Sequence, residues 1–122
     1  MKYEISLSED NTFIRIQVFE VIDGNMEKEF AGEAIAEAKK RNIWQFLVDV
    51  RGVKNVASPF QHFSFGYDDM KELGLNKNSK IAILSDEGDR THDFILTIFT
   101  NAGYNCRLFR EEKMAMRWLL VK

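Results

Sequence analysis

Apolar and polar residues alternate through Tyr3, Ile5 and Leu7, the period-two pattern of a strand with one buried face. Ser8 to Thr12 is a polar turn, and alternation resumes from Phe13 to Phe19, with Ile14, Ile16 and Val18 on one side and Arg15 and Gln17 on the other. So short a connection predicts a hairpin. After Asp23-Gly24-Asn25 the period lengthens to that of a helix. Phe30, Ala31, Ala34, Ile35 and Ala38 form its apolar stripe, and Glu27, Glu33, Glu37 and Lys40 are assigned to its solvent face. Lys39-Lys40-Arg41 suits the negative end of the helix dipole. Trp44 to Val50 is so densely apolar that it reads as a strand covered on both faces.

Ser58-Pro59 opens a second helix, which Gly74 closes as a left-handed residue. A buried strand at Ile81 to Leu84 follows, then a helix from Asp89 or Arg90 to Asn101 carrying Phe94, Ile95, Ile98 and Phe99. Tyr104 to Phe109 is the last strand and Glu111 to Leu120 the last helix, with Met114, Trp118 and Leu119 as its apolar positions. The order ββαβαβαβα predicts a single α/β domain over residues 1–122. Its sheet is mixed but mostly parallel, with flanking helices, right-handed crossovers and the hairpin at one side.

Composition narrows the function classes. The length of 122 residues suits one domain, and 45% hydrophobic content is enough for its core. A net charge of -2, with no basic run longer than Lys39-Lys40-Arg41, argues against a nucleic-acid partner. Cys106 is the lone cysteine, so a reducing, cytoplasmic setting is expected. Met1-Lys2-Tyr3-Glu4 has no apolar leader pattern, and no apolar run approaches the roughly 20 residues that span a bilayer. The sequence holds no phosphate-binding glycine loop, dinucleotide fingerprint, zinc spacing around His62 and His92, or Gly-x-Ser-x-Gly elbow. No metal, no cofactor and no enzymatic activity are expected.

Ligands of open α/β sheets bind beyond the carboxyl ends of the parallel strands. That rule nominates the loops 49–58 and 85–92, and within them Asp49, Arg51, Asp86 and His92 as a polar loop site. Asp49 and Arg51 share one side of a strand and are expected to pair with each other or with loop amides. His92, near a helix start, reads more simply as a solvated or capping residue. A hydrolytic set of Asp49, Ser58 and His92 can be drawn from these loops, but no elbow raises it above chance.

Ser58, Pro59 and Gln61 fit a capping box. The functional alternative is phosphorylation of Ser58, since a phosphate there would meet free amides. Phe60, Phe63, Tyr67 and Met70 recur at helical spacing and are expected to form the core face of this helix, with Phe65 off the stripe and widening the apolar surface. Gly66 lets a neighbour approach the backbone closely. The functional reading of this aromatic helix is an apolar groove for a lipid-like ligand or a membrane surface.

Several segments resemble a known family. Leu47-Val48-Asp49-Val50-Arg51-Gly52-Val53 followed by a helix opening at Ser58 resembles the STAS domain of anti-sigma factor antagonists. Over nearly its full length the chain resembles the SpoIIAA-like (STAS/SEC14-type) family. The matching segments include Tyr3 to Leu7, Phe65 to Leu73, Lys80-Ile81-Ala82-Ile83-Leu84, His92-Asp93-Phe94, Asn101-Ala102-Gly103-Tyr104 and Trp118-Leu119. The resemblance implies a non-enzymatic binding or regulatory domain. In its antagonist branch a serine at the helix start is phosphorylated and switches binding of a regulatory protein partner, which implicates Ser58. That branch carries Asp-Ser-Ser/Ala-Gly where this chain has Ala57-Ser58-Pro59-Phe60. The SpoIIAA-like branch resembles small lipid-binding domains with a hydrophobic cavity and peripheral membrane association, which suits Phe60, Phe63, Phe65, Tyr67 and Met70. Neither branch defines an oligomeric state for this chain.

Overall fold

The computed structural model describes residues 1–121. Strands β1 (Tyr3–Leu7), β2 (Ile14–Val18), β3 (Gln45–Asp49), β4 (Lys80–Leu84) and β5 (Asn105–Phe109) lie side by side in chain order. β1 and β2 form the antiparallel hairpin, with Ile5 opposite Ile16, and the other three pairings are parallel. The protein is therefore an α/β domain with a mixed, mostly parallel sheet, consistent with a STAS-like arrangement.

The period-two side chains of the strands feed two cores. Ile16, Phe46, Val50, Ile81, Ile83 and Cys106 point into the larger one, beneath helix α1 (Gly24–Arg41). Phe13, Leu47, Ala82 and Leu84 point the other way, onto Ala115 and Leu119 of helix α5 (Glu112–Leu120). Helix α4 (Asp93–Asn101) starts at Asp93 rather than at Asp89 or Arg90, and adds Ile95 and Phe99 to the larger core. Two residues expected on apolar stripes, Phe94 and Met114, are exposed instead.

α1 begins where Asp23 Oδ1 accepts the Met26 amide at 2.9 Å, and ends at Asn42 in the left-handed region (φ 55°). Glu27, expected in solvent, is only 2% exposed. It precedes Phe30 and Ala31 by one turn and Ala34 by two, so the helical period carries it onto the buried stripe.

The second helix is interrupted. α2 (Pro59–Ser64) leads into a π-helical turn (Phe65–Asp69), where the Met70 amide donates to the Phe65 carbonyl, and then into α3 (Met70–Leu73), closed by Gly74 at φ 83°. The π turn holds one extra residue, and at about 100° per residue it rotates everything after it by one position. In an unbroken α-helix the face of His62, Phe65 and Gly66 would continue through Asp69; here it continues through Met70. The expected core face of Phe60, Phe63, Tyr67 and Met70 is therefore split. Phe65 and Met70 are buried, Tyr67 is half-buried, and Phe60 and Phe63 are 76% and 52% exposed.

Ser58 caps α2 as the sequence predicts. Its Oγ accepts the Gln61 amide at 3.1 Å, and Gln61 Oε1 accepts the Ser58 amide at 2.8 Å. Ser58→Ala is expected to lower stability by about 1 kcal/mol, whereas Ser58→Asn, an equivalent cap, should be close to neutral. Urea unfolding midpoints of the two variants check this.

Candidate functional site

The helical layer does not fill the space above the sheet. A cavity of about 90 Å³ lies between β2, β3 and β4 below and α1, the π-interrupted helix and α4 above. Its wall is apolar for the most part, with Ile16, Phe30, Phe46, Phe65, Met70 and Phe99 among the lining residues. Three polar residues reach it: Glu27, Asn55 and His92. A larger groove of about 570 Å³ between β1 and α1 is lined by Tyr3, Ile5, Leu7, Glu33 and Arg41, among others. Its acidic wall matters to Tyr3, whose hydroxyl is shifted upward by burial and by the Glu33 carboxylate.

Glu27 anchors a buried polar cluster beside the cavity. Asn55 Nδ2 donates to its Oε1 at 2.6 Å, while Oε2 has no partner among the described residues. His62, 3% exposed, places Nδ1 3.4 Å from Glu27 Oε1 without making a hydrogen bond, and its ring stands edge-on to Phe94 at 5.8 Å. Asn55 is itself held firmly, its amide donating to Thr91 Oγ1 at 3.0 Å and its Oδ1 accepting the Ala57 amide at 3.0 Å.

His92 is not solvated, which corrects half of the sequence expectation: it is 2% exposed, and it stands at the N-cap position of α4 without a side-chain cap bond. Its Nε2 lies 3.1 Å from the Val53 carbonyl, and because a carbonyl only accepts, that nitrogen carries the hydrogen. Asp89 Oδ2 stands 3.4 Å from the same atom. Burial pushes the Asp89 carboxyl up, but the Thr91 amide and hydroxyl donating to it, with His92 and Lys54 close by, outweigh burial and hold it below the usual range. Cys106 lines the cavity too, with burial pushing its thiol up to about 12, so it is no nucleophile at neutral pH.

The expected polar loop site is divided by the sheet. Asp49 lies on the α5 side, fully buried, accepting from Arg51 Nε (3.0 Å), Arg51 Nη2 (2.7 Å), the Arg51 amide (3.2 Å) and Arg15 Nη2 (2.7 Å). Glu112 of α5 closes the network by accepting from Arg15 at 3.1 Å and Arg51 at 2.9 Å. Asp86 is exposed and accepts the Gly52 amide at 2.6 Å. His92, by contrast, faces the cavity on the opposite side of the sheet. Asp49 and His92 thus do not converge, and Ser58 Oγ is engaged as a cap, so the structure does not assemble the Asp49, Ser58 and His92 set.

Of the expected groove residues, only Phe65 and Met70 line the cavity. Phe63 and Tyr67 pair outside it with ring centroids 4.6 Å apart, and Phe60 stands in solvent. Glu27, Asn55 and His62 went unrecognised as site residues in the sequence, although the i+3 and i+4 spacing of Glu27 to Phe30 and Ala31 was a usable signal. The chain matches no family model and no curated protein. Among the described residues no helix is long and apolar enough to cross a membrane.

Proposed function

We propose that this protein is a non-enzymatic binding domain, of the kind the STAS/SpoIIAA-like resemblance suggests, that takes a small and largely apolar molecule into the space between sheet and helices. The observation that supports the reading is the cavity of about 90 Å³ with its aliphatic and aromatic wall. Its size bounds the ligand. A cavity of roughly 150 Å³ takes up benzene, so this one suits about four non-hydrogen atoms. An acyl lipid is too long for a space of this volume, and the proposed ligand is shorter than the lipid-like one expected from the aromatic helix.

The same size bounds affinity. With about −1.5 kcal/mol per non-hydrogen atom as a ceiling, four atoms give about −6 kcal/mol and a Kd no tighter than roughly 40 μM. A free, buried thiol at Cys106 agrees with the cytoplasm as the compartment. Phosphorylation at Ser58 remains the second reading, supported by the exposure of that residue at a helix start.

Titration with 1-propanol, followed through the methyl resonances of the protein, tests the main reading. Saturable shifts are expected at Ile16, Ile81, Ile83 and Met70, with Ala115 and Leu119 on the opposite face unmoved. Shifts that are absent, or equal on both faces of the sheet, would sink it.

A further inference from the structure

We propose that Glu27, held by Asn55, is the head-group subsite of this cavity and recognises a hydrogen-bond donor, a hydroxyl or an ammonium, on a short apolar ligand. The proposal rests on the cavity reading above. Glu27 reaches the cavity from a buried helical position, and its carboxylate is only half used. Oε1 accepts from Asn55 Nδ2, whose amide cannot turn over, because Oδ1 is held by the Ala57 amide. Oε2 is buried and unpartnered among the described residues.

A buried acceptor left without a donor destabilises the fold, and a carboxylate more than a neutral group. Among the described residues, His62 is the basic side chain found within 4.0 Å of Glu27, and it makes no hydrogen bond there. Lys28, the neighbouring cation in sequence, is turned toward Asp69 at 3.7 Å. What Glu27 lacks among the described residues is one N–H or O–H partner for Oε2. The apolar wall around Phe65, Met70 and Phe99 leaves room for the ligand's tail and supplies no competing donor. Head and tail sites of this kind are how small-molecule cavities fix orientation as well as affinity.

The test compares 1-propanol, n-propylamine and methoxyethane, an isomer of propanol that accepts but cannot donate, on the wild type and on Glu27→Gln. This substitution is not required to change the fold: the new side-chain oxygen can still accept from Asn55, while the amide nitrogen takes the place of Oε2 and turns the subsite into a donor. For the wild type, either donor-bearing probe should saturate the cavity methyl shifts at a concentration at least fivefold below that of methoxyethane. In Glu27→Gln that preference should vanish or reverse. A propylamine advantage over propanol assigns the head as an ammonium, and the opposite order assigns a hydroxyl. If all three probes bind the wild type equally, the head-group subsite is wrong while the cavity stands. If none shifts the cavity methyls, the binding reading itself falls.

Discussion

Gly66→Ala is expected to lower the stability of the domain by about 1–2 kcal/mol, although alanine is the better helix former. In an open helix the exchange would gain about 0.5–1 kcal/mol. Here a Cβ at position 66 would stand 2.4 Å from Cγ2 of Ile98 and 3.4 Å from the Phe99 ring. The first distance is well inside van der Waals contact, and overpacking of a closed core costs about 1–3 kcal/mol. The close approach seats the π turn directly on α4, and the cavity lies just beside it, walled by Phe65, Ile95 and Phe99. Ile98→Leu removes the offending branch at nearly constant volume, so the double variant should recover most of the loss. Urea midpoints of the four proteins in this cycle measure the coupling. A Gly66→Ala protein as stable as the wild type, or a double variant no better than the single, would show that this contact does not set the helix position.

The strands were legible because a period of two survives any packing. Tyr3, Ile5 and Leu7, then Ile14, Ile16 and Val18, read correctly, and the hairpin followed from the short turn. The capping box was equally legible, since all its groups lie within four residues. Glu27 was misassigned on its charge, although its spacing to Phe30 and Ala31 already placed it with the buried stripe. The π turn is a different kind of miss. A uniform 100° step cannot register one inserted residue, so the stripe through Phe60 and Phe63 ran correctly into Met70 from the wrong side. Nothing local marks His92 as buried, because its partner carbonyl, Val53, comes from another loop. The same holds for Asp49: its pairing with Arg51 follows from strand period, but Arg15 and Glu112 arrive from distant elements.

Asp49→Asn is the substitution expected to destabilise most, by about 2–4 kcal/mol at neutral pH, through the loss of one charge and the turning of a donor toward two guanidinium groups. Two arginines and two carboxylates balance in this network, and removal of Asp49 leaves a net positive cluster around a buried amide. Arg15 and Arg51 keep partial access to water, so they recover some hydration and the loss stays below that of a fully buried pair. Glu112→Gln at the exposed rim should cost less than about 1 kcal/mol by the same reasoning. The pH dependence gives the sharper check. Burial raises the Asp49 carboxyl, yet the hydrogen bonds from Arg51 and the charge of Arg15 outweigh it, and the folded-state value lies below the usual one. A carboxylate lowered in this way gives its full stabilisation above the unfolded value near 3.9 and loses it as pH falls through the folded value. The gap in unfolding free energy between wild type and Asp49→Asn should therefore be constant from about pH 7 to pH 5 and close progressively below about pH 4. A gap that widens with acid would mean that Asp49 is not held as the paired anion. Because Asp49 faces α5 and the cavity faces α1, probe binding at Ile16 and Met70 should be unaffected in the folded variant. A loss of binding there would tie the ion network to the site instead of to the fold.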